Sequence, residues 1–248
     1  MPLIDRKMGV ILYLDTILVP LSLFLTIGYH AFLWHSYKNK PFLTTIGMHM
    51  LRRRSWIQDM QQARPSSIYR FLAGDDKKGM LAVQSLRNTL MGTILTASIS
   101  VIINIALACL TNNTYYASRL LNNRIFGSRT DMILVLKYGS ASLFLLVSFL
   151  CSSMAVGCLI DANFLINAMS SGEDHDQIYT NAYTQRIMER GFLLAVVGER
   201  VLCVTFSLLF WMLGPVPVAL SSVALVWGLY VLDFAGKLHQ NCNKQGKS

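Results

Sequence analysis

The sequence predicts an all-α membrane protein. It should carry four transmembrane helices, the fourth kinked at Pro215 and Pro217, and one amphipathic helix at the membrane interface. Three observations predict it. Hydrophobic residues make up 53% of the 248 and charged residues only 14%, whereas a soluble domain carries about a quarter charged residues. The apolar residues gather in runs long enough to cross a bilayer, which takes about 20 helical residues. The segments between the runs are basic: 22 Lys and Arg against 13 Asp and Glu give a formal charge of +9. In a membrane protein that excess reads as topology and attraction to anionic lipid rather than as affinity for nucleic acid.

The first span covers residues 9–35. Its apolar stretch, Gly9 to Trp34, is longer than a signal-peptide core and lacks a small-residue cleavage pattern, so it reads as a retained anchor. Residues 36–87 follow, a basic segment containing "LRRRSWIQDMQQ" and then the turn "AGDDKKG". The first string reads as the interfacial helix: Arg52, Arg53 and Arg54 can hold lipid phosphates while Trp56 sits at headgroup level. The second span is 88–110, and a polar, Asn-rich connection follows. The third, 133–168, exceeds a bilayer's thickness, so its helix should continue into water on one side. Residues 169–200 hold the acidic "SGEDHDQ" and then "YTQRIMERGF", which reads as helical. The fourth span, 201–232, contains "GPVPV"; neither half alone is long enough to cross, so one broken span is expected. No internal repeat divides the chain, and residues 1–248 form a single membrane domain.

Four spans put both termini on one side. Segments 36–87 and 169–200 hold 13 of the 22 Lys and Arg, so the positive-inside rule makes them cytosolic loops. The sequon Asn112 to Thr114 then falls on the opposite face, where asparagine glycosylation occurs.

The polar residues within these spans need partners. Thr89, Thr93, Thr96, Ser100 and Asn104 recur every three or four positions and stay on one face of the second span. Two readings remain open: hydroxyls that let neighbouring helices approach, or a stripe that lines water. Asp15 and Asp233 lie at the outer ends of their spans. Asp161, about 24 residues or ~36 Å of helix beyond Lys137, reaches the inner boundary, and Glu199 precedes the fourth span on that side. Asp161 can pair with Arg200, Arg87 or Lys137, lie exposed at the interface, or face a hydrated cavity. A ring of such acids around an axis would attract cations and repel anions. One four-helix chain has little room for a pore, so that reading requires several copies.

Other chemistry finds no footing. The five cysteines form no CxxC pair, and four of them sit in apolar runs as small hydrophobes. His30, His35 and His49 match no metal signature, and "SGEDHDQ" is too short for an EF-hand loop. Without a catalytic constellation, metal site or cofactor motif, the chain is not expected to be an enzyme.

Several strings together carry a resemblance: "YLDTILVPLSLFLTIGYHAFLWH", "TTIGMHMLRRRSW", "LAVQSLRNTLMGT", "NFLIN" and "GFLLAVVGERV…LLFWMLGPV…LYVLDF". They resemble a plant family of small four-span membrane proteins, catalogued mainly as a domain of unknown function, over nearly the whole chain. Size and layout are also similar to the WeiTsing-type plant immune channels. That resemblance implies a homo-oligomer, five subunits around an axial pore, conducting calcium across the endoplasmic reticulum membrane; the plasma membrane is the alternative. The expected function is therefore a calcium-permeable cation channel acting in defence, with Asp161 and Glu199 setting the cytosolic-side field. Asp15 and Asp233 would form an outer layer, and Thr93, Thr96, Ser100 and Asn104 the lining. The alternative is a non-conducting scaffold whose basic loop binds lipids or proteins.

Overall fold

The computed structural model describes the backbone of residues 2–62, 75–120, 131–168 and 177–234, and side chains within 16–55, 84–113, 136–166 and 182–234. Among these the chain is all-helical. Helix α1 (Pro2–Asn39) leads through a 3₁₀ turn (Pro41–Leu43) to α2 (Thr45–Gln62). Then come α3 (Asp75–Leu120), α4 (Asp131–Ala168), α5 (Gln177–Phe210) and α6 (Pro215–Asp233).

Five of the helices, all but α2, are long and apolar enough to cross a membrane: Thr16–Asn39, Gln84–Asn113, Leu136–Ile166, Ala182–Phe210 and Pro215–Asp233. Their outer surfaces carry Phe24, Leu95, Met154, Phe164 and Trp227, each at least 60% exposed. Surfaces of that kind belong in lipid, since no soluble protein leaves so much apolar area in water. The chain is an integral membrane protein.

The fourth expected span, 201–232, is instead divided between two helices. The pair Glu199–Arg200 looks like a boundary in the sequence, yet α5 runs through it from Gln177 to Phe210. Charges do not end a helix; glycine and proline do. The chain leaves α5 by three backbone bonds of the i→i+3 kind, Trp211 to Leu208, Met212 to Leu209 and Leu213 to Phe210. Gly214 then takes φ +143°, which disfavours any side chain, and Pro215 opens α6. Pro215 and Pro217 thus lie in a first turn, where a missing N–H costs nothing, and bend no span. The expected cytosolic segment 169–200 is, from Gln177 onward, part of α5.

Contacts divide the chain into two compact units. Unit 1 comprises Met1–Met48, Val101–Leu146 and Val201–Ser248. Its apolar centre is Tyr29, Leu33, Leu229 and Phe234, with Ile46, Leu225 and Val226 against it. The short connection from α1 to α2 is fixed here. Buried Thr44 caps α2, its Oγ1 accepting from Gly47 N at 3.2 Å. A Cβ on Gly47 would collide with the backbone of Pro41, so only glycine lets α2 fold back this closely. Thr45 Oγ1 donates to the Leu232 carbonyl at 2.8 Å and the Asp233 carbonyl at 3.2 Å, satisfying the last turn of α6 from α2.

Unit 2 comprises His49–Ser100 and Val147–Arg200. Leu86, Leu159, Ala162, Met188 and Phe192 form its core, covered by Met50, Leu90, Ile166 and Ile187. Here α4 and α5 pack antiparallel and close. A Cβ on Gly191 would lie 3.1 Å from Cys158 Cβ and from the Leu159 side chain. One on Gly198 would overlap Ser152 Oγ and come within 3.2 Å of the Ser148 carbonyl. Small residues at such crossings let membrane helices gain packing contact that lipid otherwise supplies.

Candidate functional site

The expected pore stripe on α3 makes two kinds of hydrogen bond. In unit 2, Thr93 Oγ1 donates to the Thr89 carbonyl at 2.9 Å, and Thr96 Oγ1 to the Gly92 carbonyl at 3.1 Å. Ser100 is buried, with its Oγ 3.0 Å from Ser148 Oγ, which in turn donates to the Gly198 carbonyl at 2.8 Å. That chain ties α3, α4 and α5 together. In unit 1, Ser142 Oγ donates to Asn104 Oδ1 at 2.8 Å, so the amide oxygen is answered by α4. Ser100 and Asn104 thus contact α4, whereas Thr93 and Thr96 bond only to carbonyls of their own helix.

The carboxylates separate into two kinds. Asp233 closes α6 in unit 1 with 1% of its surface exposed, and Tyr29 Oη donates to its Oδ2 at 2.6 Å. That separation is typical of a hydroxyl donating to a carboxylate. Asp233 is thus a buried structural acid and lines nothing at the surface of this chain. Lys137, also buried in unit 1, lies with its Nζ 5.4 Å from the Trp211 ring centroid. The side chains of Asp15 and Trp56 lie outside the described residues, as does the "SGEDHDQ" segment up to Asp176.

Asp161 and Glu199, both in unit 2, are exposed. Among the described residues neither makes a side-chain hydrogen bond or an ion pair. The antiparallel contacts Gly191 with Leu159 and Gly198 with Ser152 set their levels. Glu199 lies level with residue 151, ten positions or ~15 Å along α4 from Asp161. Asp161 is five residues from the end of its candidate span at Ile166, whereas Glu199 stands 17 residues after Ala182 and 11 before Phe210. Glu199 is therefore in the middle of a span rather than ahead of one. The sequence reading set both acids at one depth because it ended the water-facing segment at residue 200.

Below Glu199 on the same face of α5, seven residues or about two turns away, is Phe192. The Arg53 guanidinium lies over that ring at 3.6 Å from its centroid. Burial pushes the Arg53 guanidinium down from its ordinary value. Next to it, Arg54 Nε lies 3.7 Å from Glu189 Oε1, and Gln185 Nε2 donates to the same oxygen at 2.9 Å. Arg52 is exposed. The interfacial arginines thus have distinct tasks: Arg53 and Arg54 dock α2 onto α5. Their partners Phe192 and Glu189 were missed in the sequence, and the 3.6-residue spacing of Gln185, Glu189 and Phe192 is the signal that could have found them.

The profile of a family described as "protein of unknown function, DUF599" matches residues 17–238. The chain belongs to that family. Neither the curated proteins nor the solved structures offer a match to this DUF599 chain. The matched stretch takes in α1 from residue 17 and the whole of α2 to α6, so Asp161, Glu199 and Asp233 lie inside the DUF599 region. Among the described residues no three His, Cys, Asp or Glu side chains gather as a metal site.

Proposed function

We propose that this DUF599 protein is a homo-oligomeric cation channel whose pore is formed between copies and whose inner field is set by Glu199. One observation carries the reading: a carboxylate without a partner among the described residues points outward from the middle of an apolar span. In lipid that placement costs about 3 kcal/mol. A hydrated axis shared by several copies removes most of that cost, and acids around such an axis favour cations. Asp161, nearer the end of α4, serves as the mouth. Ser100, Asn104 and Asp233 bond to other helices of the protomer, and Thr93 and Thr96 to their own helix, so none of them is needed as lining. Calcium permeability, five subunits, the endoplasmic reticulum and a role in plant defence follow from the WeiTsing-type resemblance.

The test is ionic current from purified protein in planar bilayers under a KCl gradient. Glu199→Gln should lower the cation-to-anion permeability ratio several-fold, and Asp161→Asn should do so less. An unchanged ratio in both variants, or a strictly monomeric particle, would sink the channel and favour the scaffold alternative.

Orientation belongs to the same proposal. With five crossings, Lys and Arg outside the spans number 11 on the face of residues 40–83 and the C-terminal tail, and 5 on the other. That asymmetry favours a cytosolic C-terminus and a lumenal or extracellular N-terminus. Protease protection of terminal tags on sealed microsomes should find the two ends on opposite faces; finding both on one face would remove a crossing.

A further inference from the structure

We infer that Arg54, Arg186 and Arg190 form a binding site in unit 2 for the phosphate of an anionic phospholipid. Glu189 links this stretch of α5 to α2. It is the ion-pair partner of Arg54 at 3.7 Å, Arg186 stands one turn before it, and Arg190 follows it. At about 100° per residue, Arg186 and Arg190 fall 40° apart on the exposed side of α5, next to the edge where α2 brings Arg54. Both are exposed, and among the described residues neither has an ion-pair partner. Only Arg54 is paired with the Glu189 carboxylate, which already takes a hydrogen bond from Gln185, so the guanidinium groups of Arg186 and Arg190 are left uncompensated by it. The surplus positive charge is fixed in place, because Arg53 on Phe192 anchors the α2 backbone beside it. Guanidinium forks suit phosphate oxygens better than they suit chloride or water.

The depth of the site chooses the ligand. Arg186 and Arg190 lie four and eight residues inside the span that begins at Ala182, about the depth of lipid headgroups. On the same side of α5, Tyr183 is 58% exposed before them and Val197 41% exposed after them. An aromatic at the rim and an aliphatic below frame a headgroup with its acyl chain. An acidic peptide in solution would have to reach past that rim. The site does not depend on the transport reading, since a scaffold would hold the same lipid.

Native mass spectrometry of the full-length protein in mild detergent tests it, with phosphatidylserine and phosphatidylcholine of matched chains as probes. Phosphatidylserine should be retained preferentially, and Arg186→Gln with Arg190→Gln should cut that preference roughly tenfold or more. Glu189→Gln should raise it, because it frees Arg54 and removes a competing carboxylate. A role confined to folding would not produce that opposite sign. Equal retention of the two lipids overturns the proposal, as does a preference indifferent to the arginines. So does tighter binding of inorganic phosphate or an acidic peptide than of phosphatidylserine. Should the double variant not fold, Glu189→Gln alone decides: unchanged or lower retention overturns the site.

Discussion

Asp233 in unit 1 and the pair Asp161 and Glu199 in unit 2 are carboxylates in opposite surroundings. In unit 1, Asp233 is buried, accepts a 2.6 Å hydrogen bond from Tyr29 and sits in an aromatic surround where Tyr230 and Phe234 stack at 5.0 Å. In unit 2, Glu199 and Asp161 stay on the surface, and the interior is built from hydroxyls, glycines and leucine-sized side chains. An acid answered inside its own chain holds a fold. An acid left outward in an apolar helix needs something beyond the chain. The comparison predicts that replacing the first kind costs stability and replacing the second does not.

The largest expected effect comes from the unit 2 crossing. Gly198→Val would drive a branched side chain into Ser152 and the Ser148 backbone, costing on the order of 3 kcal/mol. Gly92→Val, where an added Cβ meets nothing within 4 Å, should cost about 1 kcal/mol or less. Thermal unfolding in detergent compares them; equal losses would mean that the crossing is not closely packed.

Next comes a direct contest between the acids. Asp233→Leu removes the acceptor of the 2.6 Å hydrogen bond from Tyr29 and should destabilise by about 2 kcal/mol, whereas Glu199→Leu should change stability by no more than about 0.5 kcal/mol. Were Glu199→Leu the more damaging of the two, the division between units would be reversed. Smallest is Tyr29→Phe, which removes one hydroxyl and should cost about 1 kcal/mol. No measurable loss would reduce the 2.6 Å contact to proximity.

What could be read from the sequence was the part written in long runs. The first three apolar runs, a helix through Arg52–Trp56 and the membrane class came from composition, length and pattern, and candidate spans overlap each run, the first starting at Thr16 rather than Gly9. The boundary at Glu199 misled because hydropathy treats a charge as an edge, while the backbone hydrogen-bond ladder continues through it. Only Gly214, with its positive φ, and Pro215 stop it. At the site, the residue types were legible and the directions were not. Asp233 and Glu199 look alike in the string, and what distinguishes them is a tyrosine 204 residues away. The α3 stripe had the periodicity of a lining and of a packing seam, and the contacts of Ser100 with Ser148 and of Asn104 with Ser142 could not be read from it.

The Thr45 contact with the end of α6 also bears on how the molecule is made. Residues 45 and 232 are 187 positions apart, and the hydroxyl of one closes the carbonyls of the other. Synthesis runs from the N-terminus, so α2 emerges long before its partner exists. The early helices therefore wait in the bilayer without that clasp, and a ribosome that stops short of Leu232 releases a chain that can never be fastened.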